Sequence, residues 1–200
     1  MNKIIKNTFI LTLITVVAGF LLGAVYEVTK DPIAATKEKA KQEACQKVFP
    51  EADTFEMISI DEDAAKMAIE LLGRNASVDE AYIAKMNNEQ AGYVITTTDK
   101  GGYGGNIQIS VGIMNDGSVN GISILTISET AGLGMKATEP EFYNQYSGVK
   151  TPGFYTEKDK GSGKTVDAIS GATITTRAVN GAVNLALNYY RTIEGGSVNE

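Results

Sequence analysis

Asp167-Ala168-Ile169-Ser170-Gly171-Ala172-Thr173-Ile174-Thr175-Thr176 is a run of small and hydroxylated residues set directly before an amphipathic pattern. From Thr175 onward, Val179, Ala182, Val183, Ala186, Tyr190 and Ile193 recur at steps of three and four, the apolar stripe of a helix that faces a core. The hydroxyl run therefore lies at that helix's N-terminus, where the first backbone N–H groups lack intrahelical partners and the helix dipole favours negative charge. Two readings follow. In one, Ser170 or Thr173 is an N-cap. In the other, the turn anchors a phosphate group without any basic side chain, and Gly171 and Ala172 leave room for close backbone approach. Ser170, Thr173, Thr175 and Thr176 place four hydroxyls in seven residues, more than one cap uses.

Upstream the period changes from 3.6 to 2. Between Glu80 and Thr130, the segments Ala81-Tyr82-Ile83-Ala84, Tyr93-Val94-Ile95-Thr96, Ile107/Ile109/Val111/Ile113 and Val119/Ile122/Ile124 are separated by Asn87-Asn88, Gly101-Gly102 and Asn115-Asp116-Gly117. This pattern predicts an antiparallel meander, with Asp116-Gly117 as the best tight-turn signal. Its apolar face requires helices to cover it, and the C-terminal helix is the obvious candidate, so the fold class is α+β.

Two glycine-rich stretches interrupt the strands. Gly101-Gly102-Tyr103-Gly104-Gly105 reads as a wide hairpin loop with a solvent-facing tyrosine. Glu129-Thr130-Ala131-Gly132-Leu133-Gly134 follows the last strand, and its glycines would let backbone approach a flat ring while Leu133 packs on the ring face. Glu139-Pro140 then opens a short helix whose Phe142, Tyr143 and Tyr146 read as core or rim aromatics. Lys164 and Arg177 either meet an anion at the hydroxyl run or are solvated surface charges.

Nearer the N-terminus, a helix is expected from Asp61 to Leu72 with Gly73 at its C-cap, and another from Asp31-Pro32 to Phe49-Pro50, either starting at Pro32 or continuing an upstream helix with a kink. Twenty uncharged residues lie between Lys6 and Glu27. At ~1.5 Å of rise per residue they cross a ~30 Å hydrocarbon layer. A retained transmembrane helix is favoured over a cleaved signal peptide, because the apolar run is longer than a usual signal core. Lys3 and Lys6 place the N-terminus inside and the soluble part on the extracytoplasmic side, against the lysines at 30, 37, 39 and 41. The expected division is 1–28 for the tail and membrane helix, 29–79 for a helical connector opening the soluble part, and 80–200 for the main domain.

The net charge of −6 argues against nucleic-acid binding, which rests on Lys and Arg neutralising phosphates. Cys45 is the single cysteine and there is no histidine, which removes intramolecular disulfides, an iron–sulfur ligand set, His-based triads and the usual zinc sites. No catalytic side chain and no metal site is assigned. Redox chemistry would have to come from a bound organic cofactor.

Asp167 and Ser170-Gly171-Ala172-Thr173 resemble the flavin-attachment motif of the FMN-binding domain family. The membrane redox subunits of that family carry Glu-Thr-Pro-Gly-Leu-Gly where this chain has Glu129, Thr130, Ala131, Gly132, Leu133 and Gly134. Ala131 replaces the proline, and Ala168 stands where glycine is common; neither touches the reacting hydroxyl. The resemblance extends over nearly the whole chain and is greatest to the G subunits of Rnf complexes, which move electrons between ferredoxin and NAD while transporting Na⁺ or H⁺. It implies FMN joined covalently to Thr173 by a phosphoester, with Asp167, Ser170, Gly171, Ala172, Glu129, Thr130, Gly132, Leu133 and Gly134 at the cofactor site. It also implies a flavin transferase using FAD and Mg²⁺ for attachment, neighbouring complex subunits as partners, and single-pass anchoring in the cell membrane. Asp167 then either serves recognition by the transferase or caps a turn. The C subunit of the Na⁺-translocating NADH:quinone oxidoreductase and a membrane-tethered binding module without flavin are the alternatives.

Overall fold

The computed structural model describes residues 2–195, and the chain divides into two compact units, 1–40 and 41–200. Helix α1 runs from Asn2 to Val48. Its N-terminal stretch is long and apolar enough to cross a membrane, and Phe9, Leu13, Phe20 and Leu22 on it are exposed, as a lipid-facing surface requires. Pro32 lies inside the helix, so Asp31-Pro32 is not a helix start. Proline's fixed φ is compatible with helical geometry, and the missing N–H forgoes one hydrogen bond.

The second unit is built on a five-stranded antiparallel sheet in the order β1(Thr54–Ile58), β2(Ala76–Met86), β3(Glu89–Asp99), β4(Ile107–Met114) and β5(Val119–Thr126). Helix α2(Glu62–Leu72) connects β1 to β2. Asp61 caps it by accepting from the Asp63 and Ala64 amides at 3.0 Å, and Gly73 ends it at φ 65°. The two-residue turn with left-handed backbone is Asn87-Asn88 (φ 53° and 66°), between β2 and β3. At 115–118 Gly117 alone has positive φ, and Asp116 accepts from the Ser118 amide, so that loop is wider than the tight hairpin its sequence suggests.

Neighbouring residues in a strand face opposite sides of a sheet, and here both sides are covered. Ile95, Ile107, Ile109, Val111 and Ile113 pack with Val179, Ala182, Val183 and Ala186 of helix α4(Thr173–Ile193). The buried Thr97 hydroxyl donates to the Ala182 carbonyl at 2.8 Å. Val94 joins Cys45, Val48, Phe49, Ala52 and Ala84 in a smaller cluster on the other side. There Val48 lies on bare backbone: a Cβ on Gly112 would come within 2.6 Å of its carbonyl oxygen, which also accepts from Asn120 Nδ2 at 2.8 Å. A short helix, α3(Pro140–Tyr143), and a parallel pair, β6(Phe154–Tyr155) with β7(Lys164–Thr165), complete the unit and lead the chain to the start of α4.

Candidate functional site

Helix α4 begins at Thr173, two residues before its apolar stripe, and Ala172 occupies the N-cap position with no side-chain hydrogen bond. Neither Ser170 nor Thr173 is the cap. The turn is fixed from inside the helix instead. The buried Thr176 hydroxyl accepts the Ile169 N–H at 3.1 Å and donates to the Ala172 carbonyl at 3.1 Å. Gly171 takes φ 75°, a left-handed conformation that glycine adopts without steric cost. These constraints leave Asp167, Ala168, Ser170 and Gly171 exposed and Thr173 half-buried.

Thr173 and Gly171 line two clefts. The first, ≈ 540 Å³, is lined by Tyr103, Glu129, Thr130, Leu133, Gly134, Gly171, Ala172, Thr173, Ile174 and Thr175. Its size falls in the ~300–1,000 Å³ range of small-molecule sites. Tyr103, Leu133 and Ile174 expose large apolar surfaces (72%, 43% and 49%) around it. The second cleft, ≈ 720 Å³, includes Lys158, Asp167, Ala168, Ser170, Gly171 and Thr173. The Asp167 amide donates to Gln145 Oε1 at 2.7 Å, which ties this edge to the segment after α3.

The wall facing Thr173 comes from the two glycine-rich loops. Gly132 (φ 75°) turns the chain so that the Leu133 and Met135 amides both donate to the Thr130 carbonyl at 3.2 Å. Glu129 Oε1 accepts from the Gly104 amide at 3.2 Å, which joins the loop after β3 to the loop after β5. Gly134 is held tightly: a Cβ there would lie 2.7 Å from both Glu129 Cβ and Thr175 Oγ1.

The structure thus brings seven of the ten residues singled out in the sequence to one cleft: Glu129, Thr130, Leu133, Gly134, Gly171, Ala172 and Thr173. Asp167 and Ser170 line the neighbouring cleft, and Gly132 lines neither. Tyr103, Ile174 and Thr175 join the wall although sequence pattern assigns them no such role. For Tyr103 the cue was an aromatic among four glycines. Arg177 is bound to Asp159, with Nε and Nη2 each 2.7 Å from its Oδ1, and Lys164 lies on β7; neither lines either cleft at Thr173. Among the described residues no basic side chain lines the apolar cleft, so an anion at its edge would rely on the uncapped amides of α4.

The model of the FMN-binding domain family matches residues 102–188, and that of the RnfG N-terminal region matches residues 1–48. The chain is 32% identical to the G subunit of the proton-translocating ferredoxin:NAD(+) oxidoreductase complex of Clostridium ljungdahlii, over 98% of this chain and 96% of that one. It is 33% identical to the G subunit of the Na(+)-translocating ferredoxin:NAD(+) oxidoreductase complex of Acetobacterium woodii, over 95% and 93%. Among solved structures, the crystal structure of Shewanella oneidensis NqrC matches over 74% of each chain, with a TM-score of 0.47 and 19% identity.

Proposed function

The chain belongs to the G-subunit family of ion-translocating ferredoxin:NAD(+) oxidoreductase complexes, and on that premise we propose that it carries electrons on an FMN joined through its phosphate to Thr173 Oγ1. The observation that carries this reading is the position of Thr173: first residue of α4, without a side-chain cap, at the edge of an apolar cleft. A phosphate ester there sits at the positive end of the helix dipole. The ring then has Tyr103, Leu133 and Ile174 to pack against, and Glu129 ties together the two loops that flank it. All these residues fall within 80–200, the part assigned to the flavin domain.

Bound FMN supplies the chemistry that this chain's side chains lack, reversible uptake and release of electrons. The residues of the cleft bind and orient it and limit water around it. Thr173 has no histidine to activate it, and the cleft's carboxylate, Glu129, already accepts from Gly104. Attachment is therefore the work of a separate flavin transferase, for which Asp167, Ala168, Ser170 and Gly171, exposed on either side of the buried Ile169, form an accessible recognition segment. Asp167 serves that recognition: it is exposed, and the N-cap position belongs to Ala172. The remaining subunits of a membrane complex are its redox partners. The N-terminal helix anchors it as a single span, with the soluble part on the extracytoplasmic side as Lys3 and Lys6 favour.

The test is the intact mass and in-gel fluorescence of denatured protein co-expressed with a flavin transferase. One FMN-sized increment on the peptide containing Thr173 is expected, abolished by Thr173→Val and kept by Thr175→Val. A dark, unmodified band beside an active transferase would leave a membrane-tethered binding module.

A further inference from the structure

The loop at 101–105 carries Tyr103 to the cleft, and its root is gripped by one buried carboxylate. Asp99, the last residue of β3, is fully buried. It accepts from Arg74 through Nε at 2.7 Å and Nη2 at 3.0 Å, and its Oδ1 also accepts the Gly101 N–H at 2.7 Å. Arg74 follows Gly73, the left-handed residue that ends α2, so the end of that helix delivers the guanidinium. Helix α4 closes over the pair through Gly181, where a Cβ would lie 2.2 Å from Asp99 Oδ2 and 2.9 Å from Arg74 Nε. Three elements of the domain thus converge on the Asp99 carboxylate.

We propose that Arg74 and Asp99 are positioning residues for the flavin, fixing the loop at 101–105 so that Tyr103 forms one wall of the cleft. This rests on the FMN reading above. The loop is pinned twice, at Gly101 by Asp99 and at Gly104 by Glu129, and only Gly102 and Tyr103 lie between the two anchors. Asp99 is fully buried while the Arg74 side chain stays 34% exposed, and the desolvation of a buried carboxylate offsets much of the attraction in such a pair, so stability alone explains it poorly. What an ionised carboxylate adds is a strong acceptor for the Gly101 amide, and the Arg74 fork both balances its charge and fixes its plane. The Arg74 pKa is raised by its hydrogen bonds to Asp99, so the guanidinium stays charged throughout the physiological range.

The experiment compares flavin-loaded wild type with Tyr103→Leu, Asp99→Asn, Arg74→Lys and the Asp99→Asn/Tyr103→Leu double variant. Flavin fluorescence yield, midpoint potential and Tm are read for each. An electron-rich aromatic beside the ring quenches its emission, so Tyr103→Leu raises the yield severalfold. Asp99→Asn releases the loop and reproduces much of that rise, with a shifted potential, and adds nothing further in the Tyr103→Leu background. Arg74→Lys keeps the charge but gives up the fork, and falls between wild type and Asp99→Asn; it carries the test if Asp99→Asn does not fold. Variants that lower Tm but keep wild-type yield and potential would overturn the proposal, as would an Asp99→Asn effect undiminished in the double variant. A wild-type chain that takes up no flavin overturns the FMN reading together with this one, whereas a loaded wild type with unresponsive variants overturns this one alone.

Discussion

The Ile169 amide donates to the Thr176 hydroxyl at 3.1 Å, and this bond closes the turn that presents Thr173. Both residues are buried, so no water replaces the acceptor when it is removed. Thr176→Val is expected to lower stability by ~1–3 kcal/mol, the cost of leaving a buried donor unpartnered. Thr173→Val, at a half-buried position, is expected to stay within ~0.5 kcal/mol. Urea unfolding of the two variants, both without flavin, separates the residue that builds the turn from the residue that the turn displays.

Gly134 sits where a methyl group has no room, 2.7 Å from Glu129 Cβ and Thr175 Oγ1. Gly134→Ala should cost ~1–3 kcal/mol through overpacking. Gly132 has open space around it but a φ of 75°, so Gly132→Ala should cost ~1–2 kcal/mol from the left-handed backbone alone. Partial relief of the first defect by Thr175→Ala, which leaves the clash with Glu129, and no relief of the second, is the expected pattern in thermal melts.

Burial alone would raise the Asp159 carboxyl, but hydrogen bonds from the Thr156 hydroxyl and Arg177 outweigh it and hold its pKa below the ordinary value. A carboxylate whose pKa is lower folded than unfolded contributes stability above its unfolded value of ~3.9 and loses it as pH falls through the folded one. Asp159→Asn should therefore flatten the fall in stability below about pH 4. Denaturant midpoints at pH 6 and pH 3 give the comparison; an unchanged slope would assign the acid sensitivity to other carboxylates.

The Cys45 thiol is pushed up to about 11 by burial, with the Glu80 carboxylate adding to the effect. A thiol with a raised folded pKa stabilises fully below its unfolded value of ~8.5 and progressively less as pH rises towards the folded one. Native protein at pH 8 is expected to resist iodoacetamide, with alkylation limited by unfolding, whereas urea-unfolded protein reacts at once. As the chain has one cysteine, mass spectrometry of the adduct reads this directly.

Sequence pattern revealed the middle of the fold best. Ile107, Ile109, Val111 and Ile113 alternate because one side of β4 faces α4, and Tyr93-Val94-Ile95 runs continuously apolar because β3 is covered on both sides. Strand β1 left no such trace. It is an edge strand with Met57 exposed and Glu56 outward, so its residues answer to no single apolar face. Pro32 suggested a boundary because its local cost is visible in sequence, while the continuity of the helix around it is not. At the site, the hydroxyl run stood out, yet the division of labour within it did not: Thr176 faces inward and Ala172 takes the cap position, which only the backbone path decides. The Arg74–Asp99 pair joins residues separated by 25 positions, with no periodicity to announce it.

The cleft at Thr173 draws its walls from the loops after β3 and β5 and from the first turn of α4, the helix that follows every other element of the domain in the chain. Each strand pairs with its sequence neighbour, so the sheet's own hydrogen bonding needs nothing from α4, whereas the cleft does. It becomes complete only when α4 docks on the finished sheet. The cleft is thus a late product of folding, and whatever it can hold reports that the last helix has taken its place.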